Sequence, residues 1–401
     1  MKMNKKLLMF VTISFMCLVF SVMVAPSFAQ TPWSTEIVDS NIGGSGSSLA
    51  LDSANNPHIS YLTYDNSLKY AWRDGGGWHT EVVATNVWSA SLALDSAGIP
   101  HISYTESGAE IWIPVLKYAS RVGAVWQTET VTTGGSNPSL AFDKTGSPHM
   151  SYNRGSHGLY IISRGVTGWG AEGLIVQTIG PPISSSSLAL DSAGQPHVSY
   201  VIGGSGGGLL FDAHAMNDLI PIDSADISFT SSSTSLAFGP TNTPHTSYTS
   251  GNDVKYTFRG TSGVWQIETV DTVDYQHLNY NFLRSSLTVD NAGNPHISYG
   301  TINAGTPTDL KYAWRDSSGW HSQTVQTNGW DPSLALDSAG TPHISYISWP
   351  SENPSHTDLV YASAQESPFV VPETAVFTTL IGTLAAGGVF LAYKKRSSLH
   401  S

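Results

Sequence analysis

The side chains in this sequence that could do chemistry recur in fixed patterns. A histidine follows a proline seven times, at His58, His101, His149, His197, His245, His296 and His343. Imidazole is a common metal ligand, so these residues could form a metal site. Each histidine, however, lies in its own repeat beside a turn, too far from the others to share an ion. We therefore predict no metal and no cofactor. We expect each imidazole to make a structural hydrogen bond to a turn aspartate or to strand backbone.

An aspartate begins the turn before six of these histidines, at Asp52, Asp95, Asp143, Asp191, Asp290 and Asp337. Carboxylates bind calcium, but a calcium loop needs several oxygen ligands close in sequence, and each turn supplies one aspartate. A carboxylate at this position can instead accept hydrogen bonds from the backbone amides of the turn. The pattern favours this capping role.

A third set combines arginine, tryptophan and glutamate near the end of most repeats, but not of the fourth. These residues could bind a sugar, because Arg and Glu hydrogen-bond vicinal hydroxyls and Trp stacks on the apolar face of the ring. In the structural alternative, the Trp packs between repeats and the Arg pairs with the Glu at the rim. The candidate rim sites are Arg73, Trp78, Glu81, Arg121, Trp126, Glu129, Arg259, Trp265 and Glu268.

The elements that carry these residues repeat every 43 to 51 residues, a period typical of solenoids, propellers and arrays. Residues 333–346 (Ser-Leu-Ala-Leu-Asp-Ser-Ala-Gly-Thr-Pro-His-Ile-Ser-Tyr) show the unit, which continues with Leu-Lys-Tyr-Ala and Trp-x-x-Glu-x-Val. Alternating apolar residues between turn residues predict four short strands per unit. The fourth unit is degenerate, and we expect Leu219 to Asp223 to replace its last strand. Seven such units predict an all-β, seven-bladed β-propeller over residues 30–363.

The two ends of the repeat region complement each other. The seventh unit stops after its third strand, at Ala362, whereas residues 33–38 form a fourth strand with no unit before them. We predict that residues 33–38 complete the seventh blade and close the ring. Closure removes the unpaired strand edges that all-β proteins must otherwise protect.

Loop lengths distinguish the two faces of the predicted disc. The Asp-Ser-Ala-Gly turns and the turns before each rim Trp are short and uniform, whereas the loops on the other face vary and carry aromatic residues. Variable loops on a rigid scaffold are common binding sites. We hypothesise that a ligand binds this face around the sixth, seventh and first repeats. The candidate ligand-binding residues are Trp88, Trp112, Tyr275, Tyr280, Trp330 and Trp349.

The charge of the chain argues against a nucleic-acid partner. The formal net charge is −12, and six of the 18 basic residues lie near the termini, which leaves 12 basic against 30 acidic residues elsewhere. Nucleic acids and anionic lipid surfaces require clustered Lys and Arg. The single cysteine, Cys17, lies in a segment that we expect to be removed. Disulfides and Cys-ligated metals are then excluded from the mature chain.

Residues 1–29 have the features of a signal peptide. Lys2, Lys5 and Lys6 precede a long apolar stretch, and Ser27-Phe28-Ala29 supplies small residues for cleavage. Because the apolar stretch is long, an uncleaved membrane anchor is the alternative.

The C-terminal segment predicts a second membrane signal. Residues 364–374 form a linker, residues 375–393 a transmembrane or sorting helix, and residues 394–401 a basic cytoplasmic tail. Val371-Pro372-Glu373 resembles the sorting signals read by exosortase- and archaeosortase-type transpeptidases; a plain anchor is the alternative. We therefore expect a protein that is exported and held at the outer face of the membrane, or processed and attached to the cell surface.

The repeats of residues 33–363 resemble those of secreted prokaryotic propellers in the neighbourhood of fucose-binding lectins and sialidase-like propellers. The Asp box of sialidases, Ser-x-Asp-x-Gly-x-x-Trp, is not reproduced. We predict a non-catalytic binding propeller that recognises an extracellular glycan, as a lectin does, or a surface protein. The alternative is an extracellular glycoside hydrolase or lyase of the sialidase-like propeller type.

Overall fold

The computed structural model describes residues 32–108, 113–155, 158–178, 182–202, 209–213, 219–223, 233–250, 253–260, 263–273, 284–301, 309–349 and 356–365. Trp33–Gln365 forms one compact unit. The predicted signal peptide, the predicted transmembrane helix, and Trp112, Tyr275 and Tyr280 lie outside the described residues. Within them, no helix is long and apolar enough to cross a membrane.

The described strands form an all-β propeller of seven antiparallel sheets, which we number in chain order. The N-terminal strand β1 (Trp33–Asp39) belongs to the last of them. Sheet 1 contains β2 (Ser47–Leu51), β3 (Pro57–Leu62), β4 (Leu68–Asp74) and β5 (Gly77–Ala84). Sheet 2 contains β6 (Val87–Leu94), β7 (Pro100–Ser107), β8 (Pro114–Val122) and β9 (Val125–Thr133). Sheet 3 contains β10 (Gly135–Phe142), β11 (Pro148–Arg154), β12 (Gly158–Gly165), β13 (Gly168–Trp169) and β14 (Gly173–Gln177).

The remaining sheets follow the same order. Sheet 4 contains β15 (Ile183–Leu190), β16 (Pro196–Ile202), β17 (Leu209–Ala213) and β18 (Leu219–Asp223), so the strand predicted at Leu219 to Asp223 is confirmed. Sheet 5 contains β19 (Thr234–Phe238), β20 (Pro244–Ser250), β21 (Asp253–Arg259) and β22 (Trp265–Thr272). Sheet 6 contains β23 (Ser285–Val289), β24 (Pro295–Gly300), β25 (Leu310–Asp316) and β26 (Gly319–Gln326). Sheet 7 contains β27 (Gly329–Leu336), β28 (Pro342–Ser348), β29 (Asp358–Ala364) and β1.

Each repeat aspartate caps the turn between the first two strands of its sheet. In sheet 2, Asp95 Oδ1 accepts hydrogen bonds from the amides of Ala97 and Ile99, both at 2.9 Å. The same two bonds occur at Asp52, Asp143, Asp191, Asp290 and Asp337. Gly98 takes the positive φ of 76° that this turn requires. Pro100 then begins the second strand, where it loses no ladder hydrogen bond. The predicted capping role of the aspartates is confirmed.

The hydrophobic core lies between neighbouring sheets. One cluster joins Leu68 and Tyr70 of sheet 1 to Ile102 and Tyr104 of sheet 2, and all four side chains are almost fully buried. The tyrosine that ends each His-x-Ser-Tyr segment occupies this layer in every sheet, at Tyr61, Tyr104, Tyr152, Tyr200, Tyr248, Tyr299 and Tyr346. Burial of each large side chain stabilises the fold by roughly 2 kcal/mol of transfer free energy.

A ladder of serine side chains joins the first strands of the sheets. Ser48 Oγ accepts a hydrogen bond from the amide of Leu92 in the next sheet at 3.1 Å, which satisfies one amide on the inner edge of β6. Equivalent bonds of 2.9 to 3.2 Å run from Leu49, Leu140, Leu188, Leu236, Leu287 and Leu334 to Ser333, Ser91, Ser139, Ser187, Ser235 and Ser286. The series returns to its start, because the acceptor for sheet 1 lies in sheet 7.

The N-terminal strand closes the last sheet. β1 pairs antiparallel with β29, with Trp33 opposite Ala364 and Ile37 opposite Val360. The sheet order is therefore β1-β29-β28-β27, and the prediction for residues 33–38 is confirmed at this position. The next residues, between β1 and β2, cross to sheet 1 and form a wall of the site described below.

Candidate functional site

The predicted rim residues join neighbouring sheets. Glu81 of β5 accepts hydrogen bonds from Arg121 Nε at 2.8 Å and from Trp126 Nε1 at 2.7 Å, both in sheet 2. The same arrangement joins Glu36 to Arg73 and Trp78, Glu129 to Arg164 and Trp169, and Glu268 to Arg315 and Trp320. We call each such group an inter-sheet tie. Of the two interpretations left open by the sequence, this geometry corresponds to the structural one.

The tryptophan rings of the ties are also packed against the protein. Trp126 lies edge-on to Tyr70 of the preceding sheet, with 5.2 Å between ring centroids and 78° between planes. Trp78, Trp169 and Trp320 make the same contact with Tyr361, Tyr118 and Tyr256. These indoles therefore contribute to packing between sheets, in the edge-to-face geometry that aromatic pairs prefer.

The junction between sheets 4 and 5 departs from this pattern. By strand register, Asp212 stands where the other sheets have the tyrosine, and Ile220 stands where they have the glutamate. Arg259 Nε instead donates to the carbonyl of Gly263 at 3.0 Å, and the buried indole N–H of Trp265 has no acceptor among the described residues. A cavity of about 280 Å³, bordered by Arg259 and Asp212, lies at this junction.

Three repeat histidines bridge the turn aspartate and the third strand of their sheet. His101 Nδ1 bonds with the Tyr118 hydroxyl at 2.7 Å, and its Nε2 lies 3.4 Å from Asp95 Oδ2. Burial lowers the pKa of His101, and Asp95 opposes this shift. The predicted hydrogen bond to a turn aspartate is thus present at His101, and also at His149 and His296. In His58 and His197, Nε2 lies 3.7 and 3.8 Å from the aspartate, and His245 bonds to a threonine instead. In the described part of the chain, no three His, Cys, Asp or Glu side chains are grouped as metal ligands.

Three of the six predicted ligand-binding aromatics meet in one groove. Trp88, Trp330 and Trp349 line a concavity of about 870 Å³, together with Tyr64, which the sequence analysis did not identify. We call this concavity the aromatic groove. It crosses sheet 7, sheet 1 and the start of sheet 2, on the face where connectors between sheets and loops between second and third strands emerge. We call that side the connector face and the opposite side the turn face.

The aromatic side chains in the groove differ in exposure. Trp88 is 49% exposed and Tyr64 is 85% exposed, so both offer ring surface to a ligand. Trp330, predicted as a ligand-binding residue, is only 4% exposed and offers little ring surface to a ligand. It packs into the core between sheets 7 and 1 and contacts Trp349, with 4.1 Å between ring centroids. The Trp330–Trp349 pair is therefore a rigid base for the groove.

The connector between β1 and β2 forms one wall of the groove. The amide of Ile42 donates to Thr357 O at 2.7 Å, and the amide of Tyr64 donates to Ile42 O at 2.9 Å. A Cβ on Gly44 would lie 1.9 Å from the carbonyl oxygen of Leu62, so only glycine permits this close approach. These contacts fix Asn41 and Ser45 at the edge of the groove.

The described lining of the groove is suited to binding. It offers aromatic rings, amides, hydroxyls and the imidazole of His356, but it contains no carboxylate. A pair of carboxylates, which most glycoside hydrolases use, is therefore absent from the described lining.

The first strands of all seven sheets surround a second cavity, of about 490 Å³. Its lining is rich in serine, and Arg284 and Asp331 are the only charged residues among the described ones that line it. Both lie where the first strands of sheets 6 and 7 begin, at the connector face. Arg284 Nε lies 3.0 Å from Asp331 Oδ1.

Comparisons with known proteins agree on the fold. No protein-family model matches the sequence, and no curated protein matches it. Two solved structures of an ulvan lyase of polysaccharide lyase family PL25 resemble the chain, with TM-scores of 0.59 and 0.57 at 11% and 12% identity. Each alignment covers 82% of this chain and 95% or 96% of the lyase. A protein of unknown function from Dyadobacter fermentans has a TM-score of 0.50 at 10% identity, over 82% of this chain and 99% of its own.

Proposed function

We propose that this protein is a carbohydrate-binding β-propeller and that the sugar lies in the aromatic groove. The observation that carries the proposal is the meeting of Trp88, Trp330, Trp349 and Tyr64 around one concavity. Its volume of about 870 Å³ suits a small or oligomeric ligand, whereas protein partners usually bury broader surfaces.

The chemistry of the lining favours sugar. A pyranose ring has an apolar face that stacks on indole or phenol rings, and hydroxyls that bond to amides and alcohols. Trp88 and Tyr64 supply exposed ring surface, and Asn41, Asn66 and Thr63 supply polar groups. Half-exposed aromatic rings have an unfavourable hydration free energy, which ligand binding would offset. The ulvan lyase that resembles this chain was solved with a glycan bound, in agreement with a sugar ligand.

We further propose that the seven sheets are seven blades of one ring, exported through residues 1–29 and held at the cell surface through residues 375–393. The support for export and anchoring is the sequence pattern of the two ends. Cleavage near Val371-Pro372-Glu373 is the alternative to a plain anchor. Mass spectrometry of protein recovered from the cell surface would identify both mature termini. Intact residues 1–29 would contradict removal of the signal peptide.

A glycan array probed with the full-length protein tests the sugar-binding role. We expect a defined set of glycans to bind, and Trp88→Ala to weaken that binding at least about tenfold, as loss of a stacked ring typically does. Trp88→Phe, the matched control, keeps a ring and should retain most of the affinity. Both variants should melt with the wild type, because Trp88 is half exposed.

Two results would decide against this function. Binding of no glycan, or equal binding by the wild type and Trp88→Ala, would contradict the proposal. Shortened or unsaturated oligosaccharide products after incubation would instead support the enzymatic alternative, a glycoside hydrolase or lyase.

A further inference from the structure

We infer that Arg284 and Asp331 form a polar subsite at the inner end of the aromatic groove, which binds an oxyanion substituent (carboxylate or sulfate ester) of the glycan. This inference rests on the proposed sugar-binding function and names the class of sugar. The two residues belong to a ring of equivalent positions, each two residues before a serine of the ladder: Gly46, Ser89, Asn137, Ser185, Ser233, Arg284 and Asp331. Five of the seven are small or neutral, so the charge is concentrated at one point of the ring.

Asp331 is held in place from several directions. It is 5% exposed, and its Oδ2 accepts a hydrogen bond from the amide of Gly46. Its Oδ1 lies 3.0 Å from Arg284 Nε. The backbone of Asp331 has a φ of +56°, and the ladder between β27 and β28 is irregular between Trp330 and Ser333. A non-glycine residue in this conformation costs free energy, and such residues often lie at binding sites.

Arg284 has unused binding capacity in this arrangement. Its side chain is 60% exposed, and its one ion pair within the described residues uses Nε alone. The guanidinium is a planar fork with five N–H donors, so its Nη groups can still bond two oxygens of a carboxylate or sulfate. Asp331 is the positioning residue, because its contact with Nε orients the guanidinium.

The Arg284–Asp331 pair is connected to the aromatic groove by residues that are adjacent in sequence. Trp330, which precedes Asp331, lies in the base of the groove, and Ser45, which precedes Gly46, lies at its edge. Arg284 and Asp331 themselves line the central cavity and not the groove. We therefore place a terminal or adjacent sugar between the groove and the guanidinium. Outside its terminal segments the chain has 12 basic against 30 acidic residues, which disfavours long polyanions. We therefore assign the subsite to a single acidic sugar residue.

A pair of probes that differ in one group tests the assignment. The first is an oligosaccharide that ends in a hexuronate, and the second is the same oligosaccharide with that carboxyl reduced to an alcohol. The wild-type full-length protein should bind the acidic probe about tenfold more tightly, as expected for charge-assisted hydrogen bonds. Arg284→Gln should abolish this preference and leave affinity for the neutral probe within about twofold. A sulfated version of the neutral probe, tested in parallel, shows which oxyanion is preferred.

The matched control is Arg259→Gln, which removes the same charge at the turn between β21 and β22, on the turn face. It should keep the wild-type preference. Arg284→Lys, which keeps the charge but loses the fork, should retain less than half of the preference, and melting temperatures should show that all variants fold. Equal wild-type binding of all three probes, or an unchanged preference in Arg284→Gln, would overturn the subsite while leaving the groove intact. Failure of every probe to bind the wild type would overturn the proposed function with it.

Discussion

His245 shows how one missing side chain changes the chemistry of a repeat. Gly239 stands where the other sheets have the turn aspartate, so Nε2 of His245 bonds to Thr243 Oγ1 at 3.0 Å instead. Burial lowers the pKa of His245 to about 4, from an ordinary value of 6.5. Because the unfolded chain binds the proton more readily than the native state, stability is lost as the pH falls from 6.5 towards 4. The total decrease in unfolding free energy from this group is about 3 kcal/mol.

We predict that His245→Gln removes most of this pH dependence. Unfolding free energies from urea titrations at pH 7 and pH 4.5 should differ by about 2 to 3 kcal/mol less in the variant than in the wild type. Five repeat aspartates titrate below this window. Burial opposes the shift, but hydrogen bonds to the carboxylates lower the pKa values of Asp52, Asp143, Asp191, Asp290 and Asp337 overall. Their contribution to the unfolding free energy therefore disappears only below about pH 4. An equal pH difference in both proteins would assign acid lability to other groups.

At the scale of strands and sheets, the inter-sheet ties should differ in how much unfolding free energy is lost when each is broken. Glu81 and Arg121 have side chains 24% and 21% exposed, whereas Glu36 and Arg73 are 37% and 45% exposed. Water screens the second pair more strongly. Glu81→Gln should therefore lower the unfolding free energy by about 1 to 3 kcal/mol, and Glu36→Gln by less than about 1 kcal/mol. Denaturant titration of both variants measures the difference, and the reverse order would contradict the role assigned to burial.

The serine ladder offers a sharper comparison between adjacent residues. Ser187 Oγ accepts the amide hydrogen bond of Leu236, whereas the buried Oγ of Ser186 has no hydrogen-bond partner among the residues that the structure describes. Ser187→Ala leaves an amide unpaired and should cost about 1 to 3 kcal/mol. Ser186→Ala removes a hydroxyl that makes no bond and should be neutral or slightly stabilising. Equal melting temperatures for the two variants would show that the ladder does not contribute to stability.

The repeat pattern was sufficient to predict four strands in six of the seven sheets, and even the degenerate strand Leu219–Asp223, because each strand has its own apolar alternation and its own turn. In sheet 3 the predicted fourth strand is divided into β13 and β14, both paired with β12. The ties were only one of two interpretations, because the partners of Glu81 lie about 40 residues away and meet it only when sheets pack. Tyr64 was missed because its loop is short, and loop length was the signal used. The burial of Trp330 depends on the connector from β1, which sequence spacing alone does not locate.

For the whole molecule, β1 is both the last strand and a support of the groove. Deleting residues 33–38 exposes the edge of β29 and removes the contact of Trp33 with Tyr312, whose ring centroids lie 5.4 Å apart. We predict a lower melting temperature or aggregation, and loss of glycan binding because the following connector is no longer held. A synthetic peptide of residues 32–40 should restore both properties. A deletion variant that is monomeric and melts with the wild type would contradict this role.

The pairing of Trp33 with Ala364 also determines the face of the propeller at which the two ends of the described unit emerge. In an antiparallel sheet, successive connections alternate between the two ends of the strands. The pair of Trp33 and Ala364 in sheet 7 occupies the position that the turn between β4 and β5 has in sheet 1. Both ends of the described unit therefore leave from the turn face, opposite the aromatic groove. A tether attached at either end, whether a natural anchor or a linker to a sensor surface, would therefore be attached at the turn face. The groove then remains open to ligands arriving from solution.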